Sequence, residues 1–174
     1  SDLSGATTVY VTHDQIEAMT MSTKIAVMKL GVIQQMETPD MVYHYPANLF
    51  VADFIGNPKV NLMPGWVSGQ NSVDVGKFNI PVKTFDKTGE VVVGLRPEDI
   101  VIYTEPTDGA VEFNAYSVLP SGADTTIIAR KGDTELTIKE MGVSKIQMDQ
   151  PIWLSFKEDA INLYDKETEA LITA

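Results

Sequence analysis

The chain has 174 residues, with 13 lysines and arginines against 24 aspartates and glutamates, so its formal net charge is −11. This acidic balance argues against nucleic acid as a partner, because neutralising phosphates requires a basic face. The absence of cysteine excludes disulfides and thiolate metal sites. The two histidines, His13 and His44, are too few to favour a multi-histidine metal centre, and no metal site is expected. No apolar run approaches the roughly 18 residues of a membrane-spanning helix, so a soluble globular chain is expected.

The first part of the chain alternates strand-like and helix-like patterns. The β-branched run Thr7–Thr12 is typical of a buried strand. Asp14 follows it as a candidate helix cap, and Glu17 lies at the spacing that would complete a capping box. The helix that follows carries three residues at the spacing of one buried stripe, namely Ile16, Met19 and Thr20.

A hairpin and two more helices are predicted next. Lys24–Lys29 and Val32–Met36 flank Gly31 and predict an antiparallel pair of strands. Thr38-Pro39 predicts a helix start, and Leu49–Ile55 predicts a helix that ends at Gly56. Strand–helix–strand order is typical of an α/β layer, but residues 1–57 supply too few strands for a complete parallel sheet. We therefore expect this part to be an excised piece of a larger domain.

After Pro58 the pattern is almost entirely strands and turns, at the spacing of a small β-barrel or sandwich. The fold expected is α+β overall, with an incomplete α/β part in residues 1–57 and an all-β domain in residues 58–174. The predicted strands are Leu62–Ser68, Ser72–Val75, Phe78–Val82, Glu90–Arg96, Ile100–Tyr103, Val111–Val118, Asp124–Ala129, Glu135–Glu140, Ile152–Phe156 and Ala160–Tyr164.

Several strings in both parts resemble one family. TTVYVTHDQIEAMT (Thr7–Thr20) resembles the switch-histidine segment of ABC-transporter ATPases, in particular the MalK-type ATP-binding subunits of carbohydrate importers. The resemblance continues through YHYPAN and FIGNP and resumes at GLRPEDI and NLYD, in family order. It implies that residues 1–57 are the end of an ABC ATPase domain and that residues 58–174 form a regulatory domain of the OB (TOBE) type.

The resemblance implies that His13 is the switch histidine, which contacts the γ-phosphate of ATP. A neutral imidazole has one donor and one acceptor, and so suits a position between a phosphate oxygen and an attacking water. The alternative is a histidine that only caps the following helix or packs at a strand end. The helical piece Ile16–Ser22 directly follows the switch and would transmit its state.

Phosphoryl transfer also requires a phosphate cradle and a magnesium ligand. The sequence has no Gly-x-x-x-x-Gly-Lys-Ser/Thr loop (Walker A), no apolar strand ending in Asp-Glu (Walker B) and no LSGGQ-like signature. ATP and Mg²⁺ are therefore expected only in the whole parent protein. This chain alone is expected neither to bind ATP tightly nor to hydrolyse it.

The resemblance also implies partners and a location. A second copy of the subunit would pair through the regulatory domain, and membrane-spanning permease subunits would use the energy of ATP. Some relatives also receive a regulatory protein at this domain. The parent would be cytoplasmic and peripheral on the cytoplasmic face of the membrane.

Other residues suggest sites, but each also has a structural interpretation. Arg96 and Glu98 could line a ligand pocket, although locking a strand crossing is the preferred role. His44 could stack on a nucleotide base, although a helix-end packing cluster is the preferred role, and Trp66 and Trp153 are expected in the core. The spacing of three acidic residues makes a calcium site conceivable, but no Ca²⁺-loop pattern accompanies them: Glu105, Asp108 and Glu112.

Two alternative functions stay open from the sequence. One is a free-standing barrel that binds a small oxyanion, for which only Arg96, Arg130 and scattered lysines are available. The other is an OB barrel that binds single-stranded nucleic acid, which the net charge opposes.

Overall fold

The computed structural model describes residues 11–12, 14–21, 23–68, 71–83 and 88–172. The chain folds into two compact units, Ser1–Gly56 and Asn57–Ala174. Most of the predicted strand Thr7–Thr12 lies outside the described residues, as does His13. None of the helices in the described ranges is long and apolar enough to cross a membrane.

The described part of the first unit contains a β-hairpin and short helices around a small apolar core. Leu30 and Gly31 form the hairpin turn with φ values of 50° and 80°, which are the positive values that a two-residue turn of type I′ requires. The elements are α1 (Gln15–Met21), β1 (Ile25–Lys29), β2 (Val32–Glu37), α2 (Pro39–His44) and α3 (Leu49–Phe54). The buried core consists of Ile25, Val27, Val42, Val51 and Ile55.

Side-chain caps set the helix starts in this unit. The hydroxyl oxygen of Thr38 accepts a hydrogen bond of 3.3 Å from the backbone N–H of Met41, with Pro39 at the first helical position, so the predicted start of α2 is confirmed. The predicted buried stripe on α1 is only partly right, and its member Ile16 has a side chain outside the described part of the structure. Met19 packs against the core, whereas Thr20 is exposed and its hydroxyl contacts the carbonyl of Glu17 at 3.3 Å.

The second unit consists mainly of strands, so the described chain is mostly β with a few helices. A 3₁₀ turn, Glu158–Ala160, occupies the start of the predicted strand Ala160–Tyr164, and that strand therefore begins later. The strands are β3 (Asn61–Val67), β4 (Ser72–Asp74), β5 (Asn79–Pro81), β6 (Gly89–Leu95), β7 (Ile100–Tyr103), β8 (Val111–Ser121), β9 (Asp124–Lys131), β10 (Thr134–Met141), β11 (Pro151–Phe156) and β12 (Asn162–Asp165).

These strands form two five-stranded antiparallel sheets. Sheet I has the order β12-β6-β3-β4-β5, and sheet II has the order β10-β9-β8-β11-β7. Alternate residues of both sheets enter one apolar core, as period-2 patterning requires. Fully buried members from both sheets include Val73, Ile80, Val93, Ile127, Leu136, Ile138, Ile152, Leu154 and Leu163.

Asn61 joins the two sheets. Its side-chain N–H₂ donates to the carbonyls of Leu95 (3.1 Å) and Thr137 (2.8 Å), and its Oδ1 accepts from the N–H of Thr137 at 2.7 Å. Thr137 lies on β10, an edge strand of sheet II, while Asn61 and Leu95 belong to sheet I. The Asn61 side chain thus bonds the N–H and carbonyl of the edge strand β10, as the backbone of a neighbouring strand would.

Gly65 is required by close packing within sheet I. A Cβ atom at this position would lie 2.5 Å from Cγ1 of Val73 and 3.2 Å from Cγ2 of Val93, and both valines are fully buried. Gly65→Ala is therefore expected to lower the free energy of unfolding by about 1–3 kcal/mol, the usual cost of overpacking. Urea unfolding followed by tryptophan fluorescence would measure the loss, and an unchanged midpoint would contradict it.

The expected core positions of the two tryptophans are not both found. Trp66 is 54% exposed, so its prediction as a core residue is wrong, while Trp153 is partly buried. In β3, Met63 and Val67 face the core, whereas Leu62, Pro64 and Trp66 are exposed. Both sets are apolar, and for this reason the sequence pattern does not reveal which set faces the solvent.

Candidate functional site

The residues on both sides of the candidate switch histidine are held by local hydrogen bonds. The backbone N–H of Asp14 donates to Oγ1 of Thr12 at 3.0 Å, and the carboxylate of Asp14 accepts from the N–H of Glu17 at 3.1 Å. Asp14 therefore caps α1, as predicted. The N–H that a complete capping box would pair with the Glu17 side chain is bonded to Thr12 instead.

Gln15 ties the start of α1 to the end of α3. Its Nε2 donates to the carbonyl of Phe54, and its Oε1 accepts from the N–H of Gly56 at 3.0 Å. One side chain thus satisfies the carbonyl of Phe54, which has no partner inside the helix, and the N–H of Gly56 just beyond it. Sequence reasoning missed Gln15, because its partners lie 39 and 41 residues away and leave no local signal.

Two glutamines of β2 hold the loop between α2 and α3. The Gln35 amide donates to the carbonyl of Tyr45 at 3.0 Å and accepts from the N–H of Ala47 at 2.9 Å. The Gln34 oxygen accepts from Nδ2 of Asn48 at 2.9 Å. These side chains position the segment that enters α3.

His44 lies at the end of α2. Its Nε2 is 3.3 Å from Oδ1 of Asp40, and its ring packs edge-on against that of Tyr43 with centroids 5.1 Å apart. This is the helix-end cluster preferred from the sequence.

The β1–β2 hairpin exposes large apolar side chains. Leu30 at the turn is 95% exposed, and four further residues of the two strands are each more than half exposed, namely Met28, Val32, Ile33 and Met36. Exposed apolar side chains in this number are characteristic of an element that packs against another part of a protein.

In the second unit, Arg96 and Tyr164 are buried near one another. Arg96 is 5% exposed and precedes a 3₁₀ turn, Pro97–Asp99, in which the N–H of Asp99 donates to the carbonyl of Arg96 at 3.0 Å. Tyr164 is 1% exposed, and a Cβ on Gly94 would lie only 3.1 Å from its ring. Arg96 therefore sits at a packed strand crossing, the structural role that was preferred, whereas Glu98 is exposed and lines a cleft.

Burial raises the pKa of the Tyr164 phenol, while the positive charge of Arg96 and a hydrogen bond with Asn162 act in the opposite direction. The folded state holds the phenol proton of Tyr164 more tightly than the unfolded state does. The protonated phenol therefore contributes to the free energy of unfolding below about pH 10, and this contribution is lost as the pH rises further. Urea unfolding between pH 8 and pH 11 is expected to show a falling midpoint, and Tyr164→Phe is expected to flatten that fall. An equally steep fall in the variant would contradict this.

A cleft of about 360 Å³ lies beside the same turn. Its only basic side chain, Lys139, contacts the Asp124 carboxylate at 3.4 Å. The other arginine proposed for an oxyanion site, Arg130, bonds Glu135 at 2.8 Å and stacks 3.4 Å above the ring of Tyr116. The arrangement therefore does not favour an oxyanion site. The described ranges contain no group of three or more histidines and acidic residues that could hold a metal ion.

Comparison with known proteins gives relatives along nearly the whole chain. The xylose/arabinose import ATP-binding protein XacK of Haloferax volcanii is 42% identical, and the match covers 94% of this chain and 45% of XacK. The trehalose/maltose import ATP-binding protein MalK of Thermococcus litoralis is 35% identical, over 94% of this chain and 48% of MalK. An uncharacterized ABC transporter ATP-binding protein of Bacillus subtilis, YurJ, is 36% identical over 96% of this chain and 50% of its own length.

No family model matches the chain. A solved structure of the cytoplasmic molybdate-binding protein ModG, with molybdate bound, is a distant likeness: it is 16% identical and covers 59% of this chain and 94% of its own, with a TM-score of 0.49. The chain spans about half the length of the curated relatives it matches. Over that span, it is a homologue of the MalK-type ATP-binding subunits of sugar-import ABC transporters.

Proposed function

We propose that this chain supplies the C-terminal part of the ATP-binding subunit of an ABC importer for sugars or related solutes. The first unit would be the end of the ATPase domain, and the second an OB-type (TOBE) regulatory and dimerisation domain. The observation that carries this proposal is the 42% identity with XacK, because the match covers 94% of the chain and thus includes residues of both units.

The exposed hairpin supports the assignment of the first unit. A side chain such as Leu30, 95% exposed, leaves apolar area in water at a cost of roughly 25 cal/mol per Å². The neighbouring exposed residues Met28, Val32, Ile33 and Met36 repeat that cost. Packing against the remainder of an ATPase domain would remove it.

His13 would contact the γ-phosphate of ATP and the attacking water in the assembled subunit. The sequence around it supports this role, and the capped start of α1 with its Gln15 bridge would hold the following residues in place. The chain by itself does not fit ATP and Mg²⁺, since its sequence contains no phosphate loop and no Walker B aspartate. We therefore expect no ATP turnover from this chain alone.

The partners proposed follow from the same role. They are a second copy of the subunit, paired through the regulatory domain, the membrane-spanning permease subunits and a regulatory protein. The assembled subunit would work on the cytoplasmic face of the membrane. Nucleic acid is not among the proposed partners, because the net charge of −11 opposes phosphate binding.

A chimera tests the proposal. The part of XacK that this chain matches would be replaced by this chain, and ATP hydrolysis and pentose import would be compared with those of intact XacK and of XacK lacking that part. Activity well above that of the truncated XacK is expected. A chimera that folds by circular dichroism and binds ATP, yet hydrolyses no more than the truncated protein, would contradict the proposal.

A further inference from the structure

The exposed face of β3 presents three apolar side chains in a row. Leu62, Pro64 and Trp66 alternate with residues that point into the core, and Leu62 and Trp66 are 36% and 54% exposed. Val92 on β6 lies directly opposite Pro64 and is partly buried. We call the surface formed by Leu62, Pro64 and Trp66 the β3 face. Because three neighbouring positions contribute, it is a continuous apolar patch and not an isolated exposed residue.

Two carboxylates flank the indole of Trp66. The register places Trp66 opposite Glu90 on β6 and opposite Asp74 on β4, and both acidic residues are exposed. Residues directly opposite in an antiparallel pair share a face, with Cβ atoms roughly 4.5–5.5 Å apart. One oxygen of Asp74 accepts the N–H of Gly76 at 2.8 Å, which holds that carboxylate in place.

An indole between two carboxylates is complementary to a cation. The face of a tryptophan ring attracts an ammonium or guanidinium group, and the effect is strongest for tryptophan among the aromatic side chains. Arginine suits this arrangement better than lysine, because its planar guanidinium can stack on the ring while its edge donates to carboxylates. The net charge of −11 further favours a basic partner.

We propose that the β3 face docks a segment of a partner protein that places an arginine over Trp66, between Glu90 and Asp74, and apolar side chains on Pro64 and Leu62. β6 pairs with the whole of β3, and β4 pairs with it at Trp66 and Val67, so at Trp66 the segment would lie across the face of the sheet. This inference rests on the proposed function, in which the β3 face would receive the regulatory protein. The binding test needs no nucleotide, so the inference and the proposed function can fail separately.

Binding would be measured with the full chain and synthetic peptides. In Trp153→Phe protein, Trp66 is the one remaining tryptophan, so its emission reports on the β3 face. The probe is an acetylated, amidated hexapeptide of alternating leucine and arginine. A matched peptide carries citrulline, the neutral isostere of arginine. Saturable quenching or a blue shift by the arginine peptide is expected, with affinity at least about tenfold weaker for the citrulline peptide.

Two charge-neutralising variants distinguish the site from a general acidic surface. Glu90→Gln combined with Asp74→Asn is expected to weaken binding of the arginine peptide at least about tenfold. Glu105→Gln combined with Asp108→Asn removes the same two charges from exposed positions outside the β3 face and should leave the affinity within about twofold. Trp66→Ala, followed by calorimetry, should abolish binding, with near-ultraviolet circular dichroism confirming the fold.

The inference is overturned if both double variants weaken binding equally, or if no saturable binding occurs up to about 2 mM peptide. It is also overturned if the free protein self-associates through Trp66, so that Trp66→Ala converts a dimer into a monomer. In that case the occupant of the β3 face is a second copy of this chain.

Discussion

Replacing His13 with alanine in the XacK chimera should lower the rate of ATP hydrolysis by about 100-fold or more. A positioned side chain that orients or deprotonates the attacking group contributes roughly 10²–10⁴-fold to a rate. Alanine provides neither the donor nor the acceptor of the imidazole. The effect should fall on kcat and not on ATP affinity, because the sequence around His13 contains no phosphate loop that would bind the nucleotide.

The chain offers a matched control in its other histidine. His44 pairs with Asp40 at the end of α2, and its side chain is 53% exposed. His44→Ala in the same chimera should therefore retain nearly full activity. Steady-state ATPase assays together with equilibrium ATP binding would separate the two variants. Equal activities of the two would show that His13 takes no part in ATP hydrolysis.

Asn61→Ala should produce a large loss of stability. The substitution leaves the N–H of Thr137 and the carbonyls of Leu95 and Thr137 without their amide partner at a site where Asn61 is 9% exposed. One of these three hydrogen bonds is buried and two are partly buried, and each contributes roughly 0.5–1.5 kcal/mol net, so a loss of about 2–4 kcal/mol in the free energy of unfolding is expected.

Urea unfolding of the full chain would measure this loss. Both tryptophans, Trp66 and Trp153, belong to the second unit, so fluorescence follows that unit specifically. Asn79→Ala, an exposed asparagine on β5, is the matched control and should change the free energy by less than about 0.5 kcal/mol. If the two variants unfold at similar urea concentrations, Asn61 does not hold the sheets together.

The features that followed from the sequence are those set by neighbouring residues. Thr38 and Asp14 cap helices because their partners lie three residues further on, and the hairpin around Gly31 follows from the turn chemistry. Alternation likewise indicated most strands of the second unit. The resemblance around His13 indicated the family, and the relatives bear that out.

The features that did not follow depend on distant residues. Asn61 meets Thr137 across 76 positions, and Gln15 meets Gly56 across 41, so no local pattern marks either amide. The outward position of Trp66 was missed for a different reason. Either of the two alternating sets of β3, Met63 with Val67 or Leu62 with Pro64 and Trp66, could have faced the core. Only the packing of the sheet to which the strand belongs decides between them.

The amide of Gln15 has a mechanical consequence. It joins the first turn of α1, one residue beyond the capping aspartate, to the last residue of the first unit. A rotation of that turn either breaks both bonds or pulls Gly56 along with it. The start of α1 and Gly56 are therefore coupled through one side chain. A displacement beside Asp14 is transmitted to the boundary of the unit through Gln15 and not through the apolar core.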